Sequence, residues 1–245
     1  MKKFLIALQF LTILPVKIKT EVKNEDHGGS LLYFPVVGLI IGLLLCAVLF
    51  LCRNFPIPVR SVLILIASVV VTGGIHLDGF ADTCDGFYVS GSGARALEVM
   101  KDSRIGAIGA IGLVCLLLLK FALISGIPGG VLWRALIMAV SFARWIQVLM
   151  CYKSECARKG GTAACFIDHC SGREFLIGGI FTMILFFVLA GAAGLVIMVL
   201  SLLPPLGFML YANKKISGMT GDTIGAASEI AEVSVLFFAL IWMIK

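Results

Sequence analysis

The chain alternates between long apolar runs and short polar connections. Seven apolar windows stand out, at roughly 32–52, 60–77, 105–126, 130–150, 175–193, 194–212 and 230–244. A hydrocarbon core about 30 Å thick is crossed by about 20 helical residues, and most of these windows approach that length. None shows the strict alternation expected of a barrel strand. The fifth and sixth windows form one unbroken run, too long for a single crossing, so a break is placed within "AGAAG" at 190–194. The pattern predicts an all-α, polytopic helical bundle with about seven transmembrane helices. The opening "MKKFLIALQFLTILP" carries two lysines and a short apolar run interrupted by Gln9, with no small-residue cleavage site. It reads as a retained N-terminal helix, interfacial or re-entrant. Repeats and low-complexity tracts are not evident, and residues 1–245 read as a single transmembrane catalytic domain.

Composition agrees with that pattern. The chain is 60% hydrophobic and only 14% charged, where soluble domains carry about 25% charge. Its net charge of +6 matters less than where the charges fall. With the N-terminus placed in the cytoplasm, most of the Lys and Arg residues collect on the cytoplasmic side. Only Arg53, Arg60 and Lys245 fall outside, while Lys120, Arg134 and Arg144 lie within spans. The positive-inside rule therefore supports a multi-pass protein of the cell inner membrane, with N-terminus and site facing in. Orientation accounts for the basic residues, and no nucleic-acid partner is expected. Cys151, Cys156, Cys165 and Cys170 share one polar connection, but their spacing lacks the tight pairs of common zinc sites. Free thiols facing a reducing compartment explain them better.

One polar stretch is out of keeping with its neighbours. "GGIHLDGFADTCDGF", residues 73–87, follows an apolar run and holds Asp78, Asp82 and Asp85. On a helix continuing from the second span, the spacing i, i+4, i+7 places all three on one face. Glu98 and Asp102 repeat the i, i+4 spacing on a short helix leading into the third span. Like charges beside lipid are costly, at about 2.5 to 3.5 kcal/mol for an aspartate at a helix centre, and they call for a cation. Oxygen ligands suit Mg²⁺, which binds carboxylates together with substrate phosphates. Asp82, Asp85, Asp102 and Asp78 are the candidate metal ligands, with Asp78 or Glu98 as an alternative base. A solvated loop paired to Arg95, Lys101 or Arg104 is the competing structural explanation.

Other polar positions extend the set. In "GMTGDTIGAASEIAEV", Asp222, Glu229 and Glu232 share a face, and Asp222 and Glu229 are expected to close the site from the opposite side. Arg158, Lys159 and Gly160 form a basic, glycine-bearing loop suited to phosphate oxygens. Lys101 and Arg104 are assigned to the diphosphate. His76, near Asp82 on the chain, could support the carboxylates, bind substrate or simply sit at the interface. Lys120 reads as a residue reaching outward to the interface, and Arg144 as either doing the same or facing the cavity.

"GGIHLDGFADTCDGF", "ALEVMKDSRIGAIG" and "MTGDTIGAASEIAE", together with "LIALQFLTILPV" and "YFPVVGLIIG", resemble the cobalamin synthase family, also called adenosylcobinamide-GDP ribazoletransferases. The resemblance covers most of the chain. It implies a transferase of nucleotide-loop assembly that joins adenosylcobinamide-GDP to α-ribazole or α-ribazole 5′-phosphate and releases GMP, with Mg²⁺ as cofactor. The pattern D-x-x-D-G at Asp82–Gly86, then Glu98 and Asp102, is also similar in chemistry to CDP-alcohol phosphotransferases. A phosphotransferase of that type, or a secondary transporter using its carboxylates as a relay, are the alternative functions. Glycine-rich spans permit close contacts within a subunit or in a homo-oligomer, and a complex with other nucleotide-loop enzymes is compatible with the reading.

Overall fold

The computed structural model describes residues 1–158, 160 and 162–243, and every named element in it is helical. In chain order these are α1 (Lys2–Leu11), α2 (Asn24–Ser30), α3 (Phe34–Leu51), α4 (Ile57–Thr72), α5 (Ile75–Tyr88), α6 (Gly93–Val99), α7 (Ala107–Gly126), α8 (Gly129–Lys153), α9 (Thr162–Ile167), α10 (Gly172–Ile216) and α11 (Gly221–Met243). Among the described residues, five helical segments are long and apolar enough to cross a bilayer alone, and α4 passes the same test only together with α5, which is bent away from it. The protein is a multi-pass helical membrane protein.

α8 is the axis of the bundle. Every residue from Ala135 to Cys151 is buried, and α3, α10 and α11 pack around it. The approach of α3 depends on Gly38 and Gly42, spaced four apart. A methyl group at Gly38 would lie 2.7 Å from the Ser141 Cα, and one at Gly42 2.8 Å from the Ile137 Cα. Small residues at that spacing bring membrane helices into backbone contact, where dispersion and packing replace the hydrophobic drive that lipid removes.

α10 runs for 45 residues, but it is not one rod. Gly191 sits at φ 60°, ψ −142°, a backbone region closed to side chains. Both ends of α10 then reach the face that carries the N-terminus. Phe175 stacks on Tyr152 at the end of α8, with centroids 5.0 Å apart, and Lys215 donates to the Val89 carbonyl at 3.2 Å. α10 is therefore a helical hairpin of two arms, 172–190 and 192–216, with its turn inside the predicted "AGAAG". Counting each arm separately gives up to seven candidate crossings among the described residues.

The second span behaves differently from expectation. It does not continue through the aspartates. Gly73 and Gly74 both take left-handed backbone, φ 64° and 69°, and α5 leaves α4 at 92°. Adjacent glycines make that turn inexpensive, because no Cβ opposes positive φ. α5 thus lies across the bundle at the N-terminal face, between α7 and α11. The N-terminal segment is also a helix, and it buries Ile6, Ala7 and Leu11 against the bundle.

Candidate active site

About two turns of α5 carry the acidic ridge. Asp78, Asp82 and Asp85 do share a helix face, and Gly79 lets α11 come close: a methyl group there would lie 2.8 Å from the Asp222 Cα. Asp222 opens α11, so its carboxylate joins the ridge from a distant part of the sequence. Among the described residues, no hydrogen bond or ion pair reaches the carboxylates of Asp78 or Asp82. Burial, followed by the charges of Asp78, Asp222 and Asp85, pushes the Asp82 carboxyl up to about 6.

Two cavities meet this ridge. The first, about 200 Å³, is lined by Asp78, Asp222 and His76 among largely apolar neighbours. The second, about 550 Å³, is lined by Asp82, Asp85, Glu98, Asp102 and Arg104. Four of the sequence-derived carboxylates, Asp82, Asp85, Glu98 and Asp102, therefore share one open cavity, while Asp78 lines the other, and the four are not equivalent. Asp85 is engaged by the start of α7: its two oxygens accept the Gly106 and Gly109 N–H groups at 2.7 and 2.8 Å. A carboxylate in that position caps the helix and answers its N-terminal dipole. Glu98 accepts from Arg95 at 2.7 Å, and both side chains are exposed. α6 ends at Val99, so Asp102 stands in the loop beyond it and not one helical turn from Glu98. There it accepts two guanidinium bonds from Arg104, at 3.0 and 2.7 Å, and the Arg104 backbone N–H at 3.1 Å, which hold its carboxyl down at about 2.

The basic positions divide as well. Arg158 donates to the Leu97 carbonyl at 2.8 Å and lies 3.8 Å from Asp222, tying the segment that follows α8 to α6 and α11. Gly160, at φ 82°, lines a third cavity of about 560 Å³ with Arg158. Lys159 lies outside the described residues. Lys101 is exposed.

Glu229 is not at this site. Together with Glu232 it faces the bundle interior, where Lys120 donates to the two at 2.5 and 2.6 Å. Arg144 reaches Ser228 at 2.8 Å and Glu232 at 3.4 Å. Glu232 follows Gly221 by eleven residues, roughly 16 Å along the helix. All four charged side chains are buried, and the two cations balance the two anions. Lys120 therefore does not reach out to the interface, and Arg144 neither snorkels nor lines the acidic cavities. Charges at that depth in lipid persist only when they are paired, and these are. The chain of contacts continues toward the site: Gln147 lies 2.9 Å from Ser228 and 2.8 Å from His76 Nε2.

The donor set fits a hard divalent cation in kind. Asp78, Asp82 and Asp222 supply oxygen ligands, and Arg158, 3.8 Å from Asp222, offsets only part of their combined negative charge. Among the described residues, no three His, Cys, Asp or Glu side chains already converge on one point. Reading the sequence also passed over Gln147, although an amide in an apolar span is itself a signal of a buried polar contact. Phe10, Phe34 and Phe166, which line the first cavity, carried no signal, because they come from three separate helices.

A bundle that pairs its interior charges and keeps open carboxylates beside cavities at one face has the layout of a membrane-embedded enzyme. The chain belongs to the CobS family, described as cobalamin-5-phosphate synthase, whose model matches residues 3–240. It is similar to a protein of Geotalea daltonii, 36% identical with 96% of each chain covered. It is also 38% identical to a protein of Alkaliphilus metalliredigens, over 98% of this chain and 96% of that one. A protein of Pseudomonas entomophila is 38% identical, with 96% and 97% covered. All three are named adenosylcobinamide-GDP ribazoletransferase. No solved structure matches.

Proposed function

We propose that the protein joins adenosylcobinamide-GDP to α-ribazole, or to its 5′-phosphate, at the ridge between the first two cavities. The observation that carries this reading is the meeting of Asp78 and Asp82 with Asp222, where Asp78 and Asp222 line the first cavity and Asp82 lines the second. A hydroxyl oxygen of the ribazole attacks the phosphorus attached to cobinamide. A new P–O bond forms, the P–O bond to the GMP portion breaks, and GMP leaves with the bonding pair. The hydroxyl proton passes to a carboxylate, for which Asp78 is the best placed, since it lines the first cavity one turn from Asp82. The protein's main task in such a displacement is alignment and charge control. Mg²⁺ held by Asp82 and Asp222 would neutralise the diphosphate and leave Asp78 free as the base. Arg104, at the second cavity, and Arg158, beside Asp222, are the candidate phosphate contacts. The positive-inside distribution supports an inner-membrane protein whose site faces the cytoplasm.

A transporter would use interior carboxylates as its relay. Glu229 and Glu232 do lie in the interior, but Lys120 and Arg144 hold them in ion pairs. That arrangement favours the enzyme. The deciding experiment places purified protein in nanodiscs with adenosylcobinamide-GDP, α-ribazole and Mg²⁺. GMP release matched by cobalamin formation, stopped by a chelator and restored by Mg²⁺, is the expected result. GMP released without cobalamin, or transfer only from a CDP donor to a lipid alcohol, would refute the reading.

A further inference from the structure

α5 lies across the bundle on few supports. Among the described residues, two side-chain ties join it to other helices. Toward its C-terminal end, Asp85 accepts the Gly106 and Gly109 N–H groups. At its first turn, His76 Nε2 lies 2.8 Å from the Gln147 amide nitrogen. His76 and Asp85 are nine residues apart, about 14 Å of helix, and Asp78 and Asp82 lie between them.

Gln147 does more than hold one ring. Its amide nitrogen also lies 2.9 Å from Ser228 Oγ, so one group on α8 joins α5 to α11. α11 is the helix that Asp222 opens. The two helices come close at a glycine from each. A methyl group at Gly225 would lie 3.3 Å from the His76 Cα, and one at Gly79 would press on Asp222. Ser228 is in turn held at 2.8 Å by Arg144, one of the four buried charges. The tie does not depend on how the amide or the imidazole is oriented. In one arrangement the amide nitrogen donates to His76 and Ser228; turned over, the amide oxygen accepts from both. His76 itself is buried, and its Nδ1 has no hydrogen-bond partner among the described residues.

We propose that Gln147 is a positioning residue: through His76 it fixes the first turn of α5 against α11, and so sets Asp78 and Asp82 relative to Asp222. The proposal rests on the reaction above, in which those three carboxylates work together. Losing the tie leaves every carboxylate in the protein but lets the ridge shift. A misplacement of about 1 Å can cost about 100-fold in rate.

The test is a double-mutant cycle on the full chain in nanodiscs: Gln147→Leu, His76→Leu and the two together. Each single variant should lower kcat by about 10- to 100-fold and leave both KM values within about 2-fold of wild type. The double variant should be no slower than the slower single, because either change already breaks the same contact. His76→Gln, whose amide reaches the Nε2 position, should regain most of the rate lost in His76→Leu. Hydrogen exchange of the amides from Asp78 to Asp82, followed without substrate, should quicken by about 10-fold in each single variant and no further in the double. Rate losses that multiply in the double variant, or a His76→Gln protein as slow as His76→Leu, overturn the proposal. So does a raised KM at constant kcat, which would make Gln147 or His76 a substrate contact. If Gln147→Leu fails to fold, His76→Leu and His76→Gln decide alone, and equal rates in the two overturn it. The expected exchange pattern in a protein that makes no cobalamin would refute the reaction and leave the tie standing. Cobalamin formation with exchange unchanged in every variant would do the reverse.

Discussion

At the scale of residues, carboxylates that look alike in sequence have separate work. Asp82 is crowded by acids and without a partner among the described residues, whereas Asp85, one turn on, caps α7. Two substitutions separate these roles. Asp82→Asn should lower cobalamin formation by at least about 100-fold, the scale of a lost group in metal-assisted or acid–base chemistry, while the protein still purifies in the membrane fraction. A nearly active variant would contradict the site. Asp85→Asn should be milder in activity, but the amide keeps one acceptor oxygen and sets its NH2 against the other N–H of α7. Its stability should fall by about 1–3 kcal/mol in a detergent melt. If Asp85 binds the metal instead, activity will fall with Asp82→Asn.

At the scale of elements, two features hold the bundle together. One is the buried quartet of Lys120, Arg144, Glu229 and Glu232, which links α7, α8 and α11. Lys120→Met leaves a net negative charge inside the bundle and should cost about 3–5 kcal/mol in unfolding measurements. Adding Glu229→Gln restores the charge balance and should recover part of that loss, an outcome that simple loss of packing would not produce. The other feature is the hairpin turn of α10. Gly191 occupies a conformation that a β-branched residue cannot adopt without strain. Gly191→Val should therefore lower stability by about 1–3 kcal/mol, read as an earlier thermal transition.

At the scale of the whole molecule, the site depends on α5 lying across the N-terminal face instead of continuing into the membrane. This arrangement puts the acidic ridge at the water boundary, beside α11 and below α1 and α9. Orientation can be read directly. Ser90→Cys, in the exposed segment between α5 and α6, should react with an impermeant maleimide in inside-out vesicles. Asn54→Cys, between α3 and α4, should react in vesicles of the opposite sidedness once native thiols are blocked. Labelling with the sides reversed would place the site outside the cell.

Hydrophobic windows, glycine positions and charge asymmetry were enough to specify a helical membrane bundle, the break within "AGAAG" and a shared face for Asp78, Asp82 and Asp85. These properties are local: the length of an apolar run, the periodicity of a helix and the freedom of a glycine need no partner. The sequence also marked Glu229 as acidic and Lys120 as basic, but not that they meet, since 109 positions separate them along the chain. Only packing decided that Glu229 faces a cation in the interior while Asp222, seven residues earlier, faces the acidic ridge. Packing likewise set the right angle between α4 and α5 and gathered three phenylalanines into one wall. Which charges are neutralised and which stay open for chemistry depends on neighbours brought close in space, and that closeness exists only once the helices have packed.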